Sequence, residues 1–405
     1  MNHRIDTGSP SYLACATEDF VENDRRVDAA PTSLLDLAAL FLRLGATAFG
    51  GPAAHIAMMR DEVVRRRGWL TDERFLDLLG ATNLIPGPNS TEMAIHIGWA
   101  RRRWAGLVVA GVSFIVPAML ITGVLGWAYV RFGERPQVGW LLWGVKPVVV
   151  AVVLQALWNL APAAARTWPS RMAGAVALVA AALGTNELVI LFGTGALVAV
   201  IRATRRPAGG SLAAVIPVLP AGAASVGAVS LTGLFALFLK VGSVLFGSGY
   251  VLVAFLRADL VQRLHWLSER QLIDAVAAGQ VTPGPVFTTA TFIGYLLAGP
   301  RGALVATAGI FLPAFVFVAA SGPLVPKLRA SRVAGAFLDG LNVASLALMA
   351  VVTAQLARVA IVDTSTALLG SVSAILLLRF KLNATWLMLA SAALGIGLHL
   401  LSLNR

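Results

Sequence analysis

Apolar positions run along this chain in long stretches. The clearest are 104–130, 141–163, 234–256, 302–326, 335–357 and 382–402. Each reaches or approaches the roughly 20 residues that a helix needs to cross a bilayer. Shorter apolar pieces at 172–183 and 188–201 read either as a helical hairpin or as one long helix. One segment breaks the pattern. In "ATNLIPGPNSTEMAIHIGW" (81–99), Pro86-Gly87-Pro88 stands between apolar residues that could otherwise form a single helix.

The pattern repeats. "FLRLGATAFGG" (41–51) aligns with "FLKVGSVLFGS" (238–248) at an offset of 197, which also pairs Trp69-Leu70 with Trp266-Leu267, Asp77 with Asp274, and Pro86-Gly87-Pro88 with Pro283-Gly284-Pro285. After one deleted residue the offset is 196, pairing Gly98 with Gly294, Gly106 with Gly302, Pro117 with Pro313 and Gly144 with Gly340. Chance likeness between apolar segments would not hold both Pro-Gly-Pro triplets and Arg43 over Lys240 in one register. The expected organisation is a polar tail at 1–32, a first repeat at 33–203, a Pro/Gly/Ala-rich connector at 204–230 and a second repeat at 231–405. In each half an apolar helix carries the Phe-Gly element. A charged loop ending in Trp-Leu, the Pro-Gly-Pro segment, two long helices and two shorter pieces follow.

Composition agrees: 58% of residues are hydrophobic and 13% charged. The predicted class is all-α, a polytopic membrane protein of about 10–13 segments. The net charge of +12 is accordingly no nucleic-acid signal, because Lys and Arg gather in the cytoplasmic loops of such proteins. If each Pro-Gly-Pro segment dips in and returns to its own side, 18 of the 32 Lys and Arg fall on one face, 11 on the other and three (Arg43, Lys146, Lys240) inside apolar runs. That bias makes the richer face cytoplasmic and the two repeats opposite in orientation. The one cysteine, Cys15, rules out an intramolecular disulfide and a Cys-rich metal site. No metal or cofactor is expected.

Proline removes an N–H and disfavours helix in the residue before it, so Pro86-Gly87-Pro88 should end one helix. Asn89 is placed to cap the next, with Glu92 three residues on as a capping box. Backbone groups freed inside a bilayer must be buried in protein or face water, so the break should line a cavity. A helix N-terminus presents free N–H groups and a positive dipole end, which suits an anion, and Ser90 and Thr91 add hydroxyls. The second half offers Pro283, Gly284 and Pro285, then Thr288, Thr289 and Thr291. Two facing half-helix ends would form an anion site near the midplane. The alternative is a packing kink.

Arg43 and Lys240 occupy equivalent positions in apolar helices. A cation at the membrane centre costs about 2.5–3.5 kcal/mol on insertion scales, so it normally faces a cavity or a partner. Snorkelling to the surface is the other reading, and the better one for Lys146. His55 and His96 titrate in a range suited to proton relay, although a packing role is the plainer reading of a buried histidine. Glu92 could couple a proton or simply cap.

These stretches carry a resemblance. "GATAFGGPAAHIAMM", the "RRRGWL" loop, "NLIPGPNSTEMAIHIG" and "FIVPAML" resemble the chromate ion transporter family, and "FLKVGSVLFGSGYVLVAFL", "HWLSERQLIDAVAAGQVTPGPVFTTATFIGYLLAG" and "FLPAF" resemble its second domain. The likeness covers nearly the whole chain after about residue 33 and is to the long, two-domain form. It implies transport of chromate across an inner membrane, usually outward, with sulfate as the related oxyanion, and a site around Phe49, Gly50, Gly51, Pro52, Pro86, Gly87, Pro88 and Asn89. The second half departs from it: Ser248-Gly249 replaces Gly51-Pro52 and Val286 replaces Asn89, so the first repeat should dominate recognition. The expected partners are chromate or sulfate and the lipid bilayer, with a second copy of the chain in a homodimer left open, and no nucleic acid. No GxxxxGK[ST] phosphate loop supports ATP coupling, and no HExxH or nucleophile elbow supports an enzyme. A passive anion channel is the alternative to a secondary transporter.

Overall fold

Helix starts follow side chains able to take over orphaned backbone N–H groups. The computed structural model describes residues 32–205, 229–246 and 251–403. The expected polar tail, apart from Thr32, lies outside them with Cys15, as do most of the connector and the Ser248-Gly249 pair. Ser33 caps α1 (Leu34–Thr47) with Asp36 closing the capping box, and Thr71 caps α3 (Asp72–Thr82). Between them lies α2 (Gly51–Arg60), which continues through a π-helical turn, Asp61–Arg66.

The Phe-Gly element does not sit inside a helix as expected. Ala48 leaves α1 in an extended conformation, and Gly50, at φ 106°, turns the chain into α2. The same break divides the apolar run 234–256. There α8 (Leu231–Val244) stops at Leu245, and α9 (Leu252–Leu256) leads into a second π-helical turn, Arg257–Arg263.

After Pro86-Gly87-Pro88 comes α4 (Asn89–Phe132), which reverses at Arg102 (φ −142°, ψ 24°) and Arg103 (φ 50°, ψ −133°). Its two arms pack so closely that the backbones of Gly98 and Gly106 touch, leaving no room for a Cβ at either. The short arm therefore returns to the side it came from. There Arg101 Nη1 donates to the Trp69 carbonyl oxygen at 2.9 Å, bringing Arg101 to the charged loop. The second repeat copies this path. Its α10 (Glu269–Val281) precedes Pro283-Gly284-Pro285. A 3-10 turn (Val286–Thr288) then opens α11 (Thr289–Ala330), which reverses at Ala298 and Gly299.

Each repeat finishes with three helices: α5 (Pro136–Ala164), α6 (Trp168–Ala182) and α7 (Glu187–Arg205), then α12 (Arg332–Ala360), α13 (Thr364–Phe380) and α14 (Ala384–Leu403). The 172–201 stretch is thus a hairpin, turned at Gly184 (φ 80°). Among the described residues six helices are long and apolar enough to cross a membrane, and α8 and α13 are shorter apolar helices. Their outer faces leave Val124, Val130, Leu304, Val316, Ile375 and Leu401 exposed, as lipid contact requires. Exposed Trp104, Trp158, Trp168 and Trp386 suit the interfacial belts.

The two long reversed helices cross each other. Gly111 of α4 meets Phe315 of α11, and Gly126 meets Tyr295, so the helices run antiparallel. A core of Val148, Val149, Phe238, Phe255, Ile310 and Leu341, all essentially inaccessible, joins α5 of the first repeat to α8–α12 of the second.

Candidate functional site

Each Pro-Gly-Pro segment lies against the Phe-Gly turn of the other repeat. The Gly87 N–H donates to the Leu245 carbonyl oxygen at 2.8 Å, and the Gly284 N–H donates to that of Ala48 at 2.9 Å. Ala48 and Leu245 are equivalent positions, so the exchange is reciprocal. Both glycines have positive φ, 139° and 86°. A Cβ on Gly284 would lie 2.8 Å from the Gly45 carbonyl oxygen and 2.9 Å from Ala118 Cβ; one on Gly87 would strike the Glu92 carboxylate. Prolines on either side stop the helix, and glycine between them lets another backbone approach.

Two cavities lie at this crossing, and in neither of them do both broken segments line the wall. Cavity 1, about 300 Å³, joins the first repeat's Phe49, Gly50 and Gly51 to the second repeat's Gly284 and Val286. Cavity 2, about 200 Å³, joins the first repeat's Ile85 and Asn89 to Val251, Asn342 and Ser345 of the second.

Cavity 1 has the chemistry of an anion site. Gly50 has no side chain to cap α2, so N–H groups of the first turn have no intrahelical partner, and Pro52 fits there because it has none to offer. Lys381, Asn383 and Thr385 enter from the turn between α13 and α14, with Lys381 in the left-handed conformation (φ 53°). Among the described residues Lys381 has no carboxylate partner and is the one cation lining the cavity. Gln280 and Thr282, at the end of α10, complete the polar wall; Gln280 Nε2 is buried without an acceptor. His55 also lines it. Its Nε2 lies 3.0 Å from the Ala48 carbonyl, which fixes that nitrogen as the donor and leaves Nδ1 as a buried acceptor with nothing to accept.

The other sequence-predicted residues fall elsewhere. Arg43 and Lys240 line neither cavity. Each is held by a carboxylate of its own repeat: Arg43 Nη2 lies 2.6 Å from Glu62 Oε1, and Lys240 Nζ lies 2.8 Å from Asp259 Oδ2. Arg66 and Arg67 share Glu62, and Arg263 shares Asp259. Thr288 and Thr289 spend their hydroxyl protons on the carbonyls of Pro285 and Val286. Ser90 and Thr91 are buried on the short arm of α4, Thr91 without a hydrogen-bond partner.

The expected capping box at Asn89 and Glu92 does not form. Pro88 occupies the N-cap position with ψ 97°, so Asn89 is already the first helical residue, and its amide donates to Asn83 Oδ1 at 3.1 Å. Glu92 turns inward instead. It is fully buried against Gly87, and neither carboxylate oxygen has a donor. One helical turn on, His96 is buried with Nε2 unpartnered.

Lys146 does not snorkel. Its Nζ reaches across to the second repeat, 2.9 Å from Asp274 Oδ1, and the Tyr129 hydroxyl donates to Asp274 Oδ2 at 2.9 Å. Sequence reasoning weighed Lys146 without pairing it to Asp274, and it passed over Lys381 as a site residue. The aligned Asp77 and Asp274 were a signal for the first; nothing in the repeat pattern marks Lys381, whose counterpart in the first half is Thr185.

Known proteins give the family. The chromate transporter family model matches residues 35–200 and again 232–396. A chromate transport protein of Cupriavidus metallidurans is 36% identical over 380 residues, 92% of this chain and 94% of its own length. One from Pseudomonas aeruginosa is 31% identical, covering 86% and 88%. A probable chromate transport protein of Synechococcus elongatus is 31% identical, covering 85% and 89%. No solved structure matches. These relatives are named as transport proteins and not as enzymes, and two matches to the family model in one chain account for the repeat: the protein is a multi-pass membrane member of the chromate transporter family.

Proposed function

We propose that the chain is a secondary transporter of tetrahedral oxyanions, carrying chromate outward across a bacterial-type inner membrane, with sulfate as a related substrate. The observation that carries this reading is cavity 1: polar, walled in part by the exposed Lys381 and Asn383, and built where the two repeats exchange their broken segments. A dianion there meets the Lys381 ammonium, the N–H groups opening α2, the Gln280 amide and the Thr385 hydroxyl. Charge-assisted bonds of this kind are shorter and about twice as strong as neutral ones. The cavity exceeds one oxyanion in volume, so water enters with it.

Antiparallel packing of the equivalent helices α4 and α11 supports an inverted repeat. Because each repeat holds the other's Pro-Gly-Pro glycine, rocking one against the other remodels both cavities together, which is how alternating access works in inverted-repeat transporters. Glu92, buried against Gly87 with no donor and no ion-pair partner among the described residues, carries the coupling proton, with His96 and His55 as relay positions. Arg43 and Lys240, outside both cavities and paired with Glu62 and Asp259, act on the anion only from a distance.

Uptake of labelled chromate and sulfate into everted vesicles, with and without a proton gradient, tests the reading. Saturable counterflow that responds to the gradient supports it. Flux that never saturates and shows no counterflow would make the protein a passive channel, and no flux of either anion would refute oxyanion transport.

A further inference from the structure

The Lys146–Asp274–Tyr129 cluster lines neither cavity, yet its charges are among the most buried of the described residues. The Asp274 side chain is 0% exposed and that of Lys146 10%. Three elements meet there: Tyr129 on the long arm of α4 and Lys146 on α5, both of the first repeat, and Asp274 on α10 of the second. A buried ion pair this deep in an apolar helix is costly to form and normally marks function.

Its place relative to cavity 1 shows which. On α5, Val152 and Gln155 line the cavity, and Lys146 lies six residues before Val152, about 9 Å along the axis. On α10, Gln280 lines it, and Asp274 lies six residues before that, again about 9 Å. The pair therefore ties together two cavity walls, one from each repeat, at the same depth. The direction follows from α13, which runs alongside α5. Trp143 Nε1 donates to Asp363 Oδ2 at its start, and Gln155 Nε2 donates to the Leu377 carbonyl near its end. Lys381 follows Leu377, so the ion pair and the Lys381 mouth lie on opposite sides of the cavity.

We propose that Lys146, Asp274 and Tyr129 form the gate that closes cavity 1 on the side away from Lys381, an inference that rests on cavity 1 being the oxyanion site. The structure is then a state open toward Lys381. For the anion to leave on the other side, α5 and α10 must part there, which separates the ammonium from the carboxylate and frees the Tyr129 hydroxyl. The other cavity differs in kind. Asn342, the counterpart of Lys146, lines cavity 2 and carries no charge. The Lys146 half of the ion pair thus has no charged equivalent beside cavity 2.

The test is accessibility. In a Cys15→Ser background, Ala54→Cys places a thiol in cavity 1. In oriented vesicles an impermeant thiol reagent should label it from the Lys381 face, with labelling from the Trp143 face at least tenfold slower. Lys146→Met with Asp274→Asn removes both charges without stranding either and should bring the two rates within about threefold. Tyr129→Phe keeps the ring against Phe292 and should raise the slow rate severalfold. The charge exchange Lys146→Asp with Asp274→Lys should restore one-sided labelling. One-sided labelling in the double neutral variant, whatever its transport rate, would overturn the gate, as would two-sided labelling in the parent. Absence of chromate counterflow in the parent would refute the transport reading while leaving the accessibility result to decide the gate.

Discussion

Gly284→Ala separates the crossing of the repeats from backbone strain. The residue sits at φ 86°, and a methyl there would lie 2.8 Å from the Gly45 carbonyl oxygen and 2.9 Å from Ala118 Cβ. The left-handed conformation costs a non-glycine residue about 1–2 kcal/mol. Overpacking against backbone adds about 1–3 kcal/mol, because the carbonyl cannot swing aside as a side-chain tip can. The expected loss is thus about 2–5 kcal/mol, with the Gly284–Ala48 hydrogen bond lengthened as α1 is pushed away. Gly68→Ala is the control: φ is 58° and a Cβ there meets nothing within 4 Å, so only the backbone strain of about 1–2 kcal/mol applies. Thermal unfolding of both variants in detergent, beside chromate transport in vesicles, reads the difference. Gly284→Ala should unfold at a clearly lower temperature than Gly68→Ala and lose most of its transport. Equal unfolding temperatures with transport intact would show that the crossing does not hold the repeats together and that cavity 1 does not depend on it.

Three further outcomes are expected. Lys381→Gln should weaken chromate affinity about tenfold or more, as loss of a charge-assisted bond of about 1.5–3 kcal/mol implies, whereas Arg43→Ala should change it less than about threefold; chromate titration of transport rate checks both, and the reverse ranking would move the site to Arg43. Glu92→Gln should keep chromate counterflow but lose its response to a proton gradient, and an unchanged response would remove Glu92 from coupling. Single cysteines in the 65–67 and 263–265 loops of a Cys15→Ser protein should react with an impermeant reagent from opposite faces, and reaction from one face would contradict the inverted repeat.

Much of the architecture was legible because duplication writes it twice. The offset of 197 aligns the Phe-Gly turns and the Pro-Gly-Pro triplets, and those are the elements that cross. It also aligns Glu62 with Asp259 beneath Arg43 and Lys240, so the carboxylate partners of both cations could have been read from the same register. What the pattern hides is contact between repeats. Gly87 looks like an anion donor in sequence, yet its N–H is taken by Leu245. Glu92 looks like a cap, but a proline that cannot continue the preceding helix takes the N-cap position and the carboxylate turns inward. Lys381 lies some 330 residues from Gly50 in a short turn with no motif, and only the packing of α13 along α5 brings it to the cavity.

Where the anion sits decides the account. Crystals soaked in chromate, with anomalous diffraction measured at the chromium edge, locate it directly. A chromium peak in cavity 1, between Lys381 and the turn at Gly50, is the expected result. A peak beside the Arg43–Glu62 pair or in cavity 2, with cavity 1 empty at saturating chromate, would contradict it.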